Sequence, residues 1–580
     1  MPRALCKTLI PCLWMLLMGS APLEAQPEDL ESWLSLRSSS FELITDAPPE
    51  AAIAIADQLE RFRSAFARLA PGIEMRSQVP ARFLAFNGPL SYAAYKRPSH
   101  PRILGQYLSS LDGHYLTLDA AYAVRTGYRV VFHEFVHYLV DSNMPGVPRW
   151  FHEGLAEYYS TFTVRDGVAI VGLPVEDHVL WIRRDSASRE RVLDHDLSLL
   201  EVLSGEAAHS GATVGRFYSF SWALVHYLLS GDEGRLAKTA DFLARVQDRE
   251  DPEDAFEAAF NVRLDDLEEE LRSYIEVADF EVARLPVDVG RSELRIARVP
   301  AADVLVNLGD LSAQLGYLES ANSHYRRALE HRPRHPDAHA GLALMRDADL
   351  RWGEAETLYR DALRLGSREP RTYLRFGRHL LARQLPEDQS LLSASGKLRA
   401  AAAFARPVAV PPWLEVRSPE RVAEAEKLAA EARAVLARAL EIEPDHAGVQ
   451  VYFGIAHLYG GEVDPRPGIR ALESVRRWLP ANRELAFFLL QLHLKRNDFK
   501  AARGLLEGTL GDREPAMTLA AREEIERAEL IFEAAEALAD GRPEDAASFF
   551  DRAIEVTSSL ELRARMSEVL ASFEAQRTAG

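Results

Sequence analysis

Residues 128–160 read YRVVFHEFVHYLVDSNMPGVPRWFHEGLAEYYS, and this stretch decides how the first half of the chain must fold. From Tyr128 to Val140 it is mostly apolar and free of Gly and Pro, which predicts a buried helix. Positions i and i+4 share one helix face, so His133 and His137 can present two ring nitrogens to the same ion. Glu134 lies beside that face, placed to handle a proton on metal-bound water. Zinc suits imidazole and carboxylate ligands in a four-coordinate site, and a hydrolytic zinc keeps one position for water. A third protein ligand is therefore required.

Glu153 is the leading candidate for it. Asp141 to Pro148 is turn chemistry, and Pro148 suits the start of a second helix, Arg149 to Ser160. Folded back, that helix aims Glu153 at the ion, with Glu157 one turn later on the same face. Glu157 is placed to accept a hydrogen bond from the free nitrogen of a ligand histidine and so to fix its ring. His152 is a rival third ligand, although it points about 100° away around the helix. The competing account of the motif is a pair of ordinary core histidines on an apolar helix.

H-E-x-x-H followed by W-F-x-E-G-x-A-E-Y resembles the gluzincin metallopeptidases, the zincin branch with a glutamate as third ligand. The nearest likeness is to bacterial peptidase-MA-like proteins, and more distantly to the M1 family of aminopeptidases with their W-L-N-E-G. The resemblance implies ligands at His133, His137 and Glu153, with Glu134 as general base. Two departures matter. Fifteen residues separate His137 from Glu153, fewer than in the aminopeptidases, and Glu157 stands where thermolysin-like enzymes carry Asp. The metzincin pattern is absent, since Asn143 occupies the position where its third histidine would fall.

The surrounding chain fits an α+β zincin-like domain over residues 26–280. A strand is expected at 40–46, a helix at 51–69, a strand at 79–86, and a hairpin around Asp112-Gly113. The resemblance implies that an edge strand beside the cleft pairs with substrate backbone. His114 is expected to be exposed. A short hairpin is expected around Asp166-Gly167, then a long apolar helix from Arg216 to Leu229 that resembles a recurrent helix of these proteins. Tyr218 or His226 on it could donate a hydrogen bond to the oxyanion of hydrolysis, with Tyr218 preferred; the alternative for each is a plain core role. Helices at 234–247 and 252–278 close the domain. Residues 281–301, with Pro286, Gly290 and Pro300, read as a linker.

From about 302 the chain repeats. Ala321, Tyr325, Ala328 and Pro336 recur as Ala355, Tyr359, Ala362 and Pro370 at a shift of 34 residues. Leu308-Gly309, Phe376-Gly377 and Phe453-Gly454 open units, and Ala432 with Ala439, Ala502, and Ala546 with Ala553 mark later ones. This pattern resembles the tetratricopeptide repeat and implies an all-α superhelix over 302–580, with an Ala- and Pro-rich insertion near 385–419. The chain is thus expected to be mainly α. Such superhelices commonly hold a protein or peptide on their concave face; the alternative is a stack that only rigidifies or dimerises the enzyme.

Composition sets outer bounds. The net charge of −19 over 580 residues argues against nucleic acid or anionic membrane surfaces as partners. Residues 1–25, with Arg3, Lys7 and an apolar run from Leu9 to Met18, read as an export signal cleaved after Ala25 in preference to Ala21. That run is too short for a confident membrane span, and both cysteines, Cys6 and Cys12, fall within the signal. The expectation is a periplasmic or secreted zinc metallopeptidase whose repeats recruit substrate or partner. The rival is a repeat scaffold with a structural or relict zinc site, against which the intact Glu134 speaks. Hydrolysis of a non-peptide amide remains open on these residues.

Overall fold

The structure, a computed structural model, describes residues 29–579 apart from 71–72, 76–78, 98–102, 145–146, 188–198, 205–213, 231–232, 248–249, 278–279, 288–292, 384–418, 460–462, 480–481 and 511–514. The expected export signal, and the expected insertion but for Pro419, lie outside the described residues.

The first half runs β1 (Leu34–Arg37), β2 (Glu42–Thr45), α1 (Pro49–Leu69), β3 (Ala81–Phe86), α2 (Pro89–Tyr92), β4 (Gly105–Leu108), β5 (His114–Asp119), α3 (Ala120–Arg125), α4 (Arg129–Asn143) and α5 (Arg149–Ser160). It continues with β6 (Thr163–Arg165), β7 (Val168–Val171), α6 (Glu176–Ala187), α7 (Leu199–Ser204), α8 (Val214–Leu229), α9 (Glu233–Gln247), α10 (Pro252–Phe260), α11 (Leu264–Val277), β8 (Ala283–Pro286) and β9 (Arg295–Arg298). The single helix expected over 252–278 is two, because Asn261 adopts a left-handed conformation at φ 57° and ends the first.

Six strands form one sheet in the order β4-β5-β3-β2-β1-β9, with β4 antiparallel at one edge, and β6-β7-β8 form a small second sheet. The central pairs β2–β3 and β3–β5 are parallel, an arrangement that needs cover on both faces. One face, carrying Leu43, Phe83, Ala85, Leu116 and Leu118, packs on α1 and α4 through Leu59, Phe62, Phe132 and Phe135. The opposite face carries Ile44, Leu84, Phe86 and Tyr115.

Among the described residues, the second half is six helix pairs and a closing helix: α12 (Ala301–Gln314) with α13 (Leu318–His331), α14 (Pro336–Ala348) with α15 (Trp352–Arg364), α16 (Pro370–Ala382) with α17 (Pro419–Ile442), α18 (Ala447–Ala456) with α19 (Arg466–Arg476), α20 (Arg483–Lys495) with α21 (Phe499–Leu505), and α22 (Pro515–Ala539) with α23 (Pro543–Val556), then α24 (Leu560–Ala579). The recurring small residues do what their spacing implied. A Cβ on Gly309 or Gly341 would stand 2.7 or 2.3 Å from the Tyr325 ring, and one on Gly377 or Gly454 would meet Leu436 or Leu472. Ala321, Ala328, Ala355, Ala362, Ala432 and Ala439 are all fully buried between helices. Each first helix packs on the next first helix, from α12 through α14 and α16 to α18, so these helices form the inner face of the stack.

The segment expected as a linker is part of both sheets. β8 pairs with β7, and β9 pairs with β1 and leads directly into α12. All four β9 side chains are exposed, so no apolar alternation marks it as a strand. The two halves then share a core: Val304, Leu308 and Leu311 of α12 close the second face of the six-stranded sheet over Ile44, Leu84, Phe86 and Tyr115. Polar contacts reinforce the junction. Asp310, 3% exposed, accepts from Arg375 at 2.9 Å and from Tyr325 at 2.8 Å and lies 3.2 Å from Arg371; Arg82 on β3 reaches Glu369 at 2.7 Å. Among the described residues, no helix is long and apolar enough to cross a membrane.

Candidate metal centre

Gly127 and Tyr128 both take left-handed backbone, φ 69° and 67°, and this tight entry starts α4 with its apolar side against the sheet. His133 and His137 sit one turn apart, their rings edge to face at 89°, with Nε2 atoms 3.0 Å from each other. Pro148 begins α5, which returns across α4 and places Glu153 Oε2 3.3 Å from His137 Nε2 and 3.6 Å from His133 Nε2. That oxygen is buried and makes no hydrogen bond of normal geometry, so it points at the two rings without being satisfied by them. Among the described residues these three form the cluster of donors that could hold a metal ion.

A second helix contact completes the wall. A Cβ on Gly154 would lie 2.3 Å from the Ser221 carbonyl oxygen, so only glycine lets α8 press this closely on α5. That approach brings Tyr218, one turn before Ser221, beside the centre: its ring lies 6.4 Å from that of His133, and burial followed by the charge of Glu153 pushes its hydroxyl well above the usual range, which keeps it protonated. Gly154→Ala is expected to destabilise the protein by about 1–3 kcal/mol, read as a lowered melting temperature, because backbone rather than a flexible side chain must move.

Glu134, 7% exposed, faces the edge strand. A Cβ on Gly105 would stand 2.9 Å from its Cγ and Oε1. Burial pushes the Glu134 carboxyl up to about 7; His133 opposes the shift and Glu153 adds to it. For His133, burial works against the charged form, but Glu153, Glu157 and Glu134 win and raise it to about 9. Burial holds His137 down at about 4.

Both ligand-candidate rings are braced from behind. His133 Nδ1 lies 3.4 Å from Glu157 Oε1. Glu157 is itself held by His178 at 3.2 Å and Arg129 at 3.3 Å; burial alone would raise its carboxyl, but these partners and His133 bring it to about 2. His137 Nδ1 lies 2.6 Å from His152 Nδ1, and His152 Nε2 lies 3.1 Å from Asp141. His152 thus supports His137 from behind instead of joining the cluster as the rival ligand. If the three donors hold zinc, His152→Ala is expected to weaken that binding about 10–100-fold, measured by chelator competition, since an Nδ1–H left unpaired no longer fixes the ring.

His226 does not reach the centre. It is fully buried, with Nε2 2.8 Å from the Gly172 carbonyl and Nδ1 2.7 Å from the Tyr274 hydroxyl, so its ring has no capacity left for an oxyanion. His114 is buried, not exposed, with Nδ1 2.9 Å from the Tyr107 hydroxyl. His178 and Arg129 escaped the sequence reading. His178 sits in a polar, aperiodic stretch with no local sign of a partner at 157. Arg129 merely opens α4.

Residues 129–249, spanning α4 to α9, match a family described as a protein of unknown function, DUF1570. No curated protein matches the chain. Solved structures similar to it include pilF of Pseudomonas aeruginosa, at 21% identity over 46% of this chain and 97% of that one, with a TM-score of 0.27. YrrB, described as a TPR protein with an unusual peptide-binding site, aligns at 16% identity over 38% of this chain and 92% of its own, TM-score 0.27. A tetratricopeptide repeat protein from Parabacteroides merdae aligns at 13% identity over 59% and 100%, TM-score 0.23.

Proposed function

We propose that the chain is a zinc-dependent peptidase of gluzincin type. One observation carries the reading: three donors from two helices, two of them buried and His133 half-buried, converge beside an acid that is not one of them. A tetrahedral ion with ligands at about 2.0–2.1 Å has donor–donor edges of about 3.3–3.4 Å. The three donors stand 3.0, 3.3 and 3.6 Å apart, so His133, His137 and Glu153 would hold zinc with little movement. When bound, zinc lowers the pKa of a coordinated water to about 7 and polarises a carbonyl.

The chain's own groups do the rest. Glu134 takes the proton of the attacking water and passes it to the leaving amine. The Tyr218 hydroxyl donates a hydrogen bond to the developing oxyanion and keeps its proton. The Asp119 amide bonds to the Leu104 carbonyl at 2.9 Å, so Gly105 and Tyr107 turn their backbone groups outward from the edge of the sheet. An extended peptide would pair there, next to Glu134. Arg97 already donates to the Tyr107 carbonyl at 2.9 Å, which leaves Gly105 as the first pairing position.

The test is mass-spectrometric profiling of a broad peptide library with native, chelator-stripped and zinc-restored protein. Cleavage that disappears and returns with zinc supports the reading; zinc bound with nothing cut defeats it. That second outcome is what a repeat scaffold with a structural metal site predicts, a reading favoured by the six helix pairs that make up the second half. Export to the periplasm or beyond belongs to the same proposal and rests on Arg3, Lys7 and the apolar run after them.

A further inference from the structure

The inner face of the repeats holds a polypeptide of this chain. The turn of the β4–β5 hairpin lies against α16 and α18. Asp112 at its tip, 10% exposed, receives Arg375 Nε at 3.1 Å and a second guanidinium from Arg378. The Leu111 carbonyl oxygen packs so closely on α18 that a Cβ at Gly448 would lie 2.2 Å from it. Arg371 donates to the Tyr115 hydroxyl at the start of β5. Arg371, Arg375 and Arg378 fall on one stripe of α16, and Arg378 also lies over the Tyr452 ring of α18 at 5.8 Å.

We propose that this is a clamp, with Arg375, Arg378 and Gly448 as positioning residues that set where β4 stands relative to Glu134. The inference rests on the peptidase reading only for its catalytic consequence. β5 is fixed by its pairing with β3, but β4 is an edge strand with one strand neighbour. An edge strand leans on groups outside its sheet, here Arg97 at the Tyr107 carbonyl, Gln106 at the Tyr95 carbonyl and one further support at the hairpin end. The tip held by α16 and α18 supplies it at one end, and contact with α4 at Gly105 uses it at the other. The first repeats thus build one wall of the cleft, and a protein that took the inner face between α16 and α18 would have to displace Asp112 first.

Hydrogen exchange of the full-length protein tests this. Asp112→Asn removes the charge that both arginines meet. Gly448→Ala pushes on the Leu111 carbonyl by bulk alone, at the first turn of α18 and without touching a charge. Both are expected to raise exchange at residues 105–108 by at least about tenfold, with α13 and α23 unchanged, and to raise KM for peptide more than they lower kcat. Exchange at 105–108 that is unchanged in both variants overturns the clamp, and so does a rise confined to 109–116. If native protein binds zinc and cuts nothing, the peptidase reading falls, and exchange at 105–108 still decides the clamp. Slower exchange at 105–108 in the alanine variant also overturns it.

Discussion

Glu134→Gln is expected to lower peptide hydrolysis by about 10²–10⁴-fold while zinc remains bound at one ion per chain. The substitution keeps the shape of the side chain, which matters because Gly105 leaves no slack around Cγ and Oε1. It leaves the three donors His133, His137 and Glu153 untouched. It removes only the ability to accept a proton, since an amide oxygen at neutral pH is not a base. Burial pushes the Glu134 carboxyl up to about 7 from an ordinary 4.5, in the direction a general base needs. The measurement is kcat/KM on a peptide found by profiling, alongside metal analysis of the same sample. Full activity in the amide variant would remove Glu134 from the mechanism. Lost zinc would mean that the carboxylate holds the ion and does not act on water.

The parts of this centre that were legible in the sequence are those created by local geometry. His133 and His137 share a helix face because of their spacing, and Glu153 reaches them because a turn of a few residues joins two helices. Gly154 belongs to the same motif, but its purpose shows only with α8 in place, since its neighbour Ser221 is distant in sequence. The supporting groups divide the same way. Glu157 was foreseeable at one turn from Glu153. His178 was not, because nothing periodic ties residue 178 to residue 157. His152 was noticed for the wrong role: the helix angle that excludes it from the cluster is the angle that sends it behind His137. In the repeats, alanine and glycine spacing reported helix contacts faithfully. The junction between the halves was missed, although a signal existed. Three arginines, at 371, 375 and 378, occupy a stripe of α16 where a repeat's inner helix meets its ligand, and such a stripe needs carboxylates opposite it.

Those carboxylates give the second large effect. Asp310→Ala is expected to cost about 3–5 kcal/mol of stability and to lower the melting temperature of both halves together. Asp310 is 3% exposed, and Arg371 and Arg375, at 4% and 6%, lose their shared partner when it is truncated. Arg375 retains Asp112 and Arg371 retains Glu369 at 3.7 Å, so α16 stays anchored and the loss is that of the one buried carboxylate set between the two guanidiniums. Because α12 and the six-stranded sheet share one core, the halves should melt in a single calorimetric transition. Two separate transitions would show that the junction contributes little. Acid should act on the same network. Burial alone would raise the Asp112 carboxyl, but Arg378, Arg375 and Arg371 hold it at about 2, below its ordinary 3.8. A depressed carboxylate stabilises the fold above its unfolded value and loses that contribution as pH falls through its folded one. The Asp112 share of stability should therefore be whole above about pH 4 and fade toward pH 2, and Asp112→Asn should flatten that limb of a stability-against-pH curve.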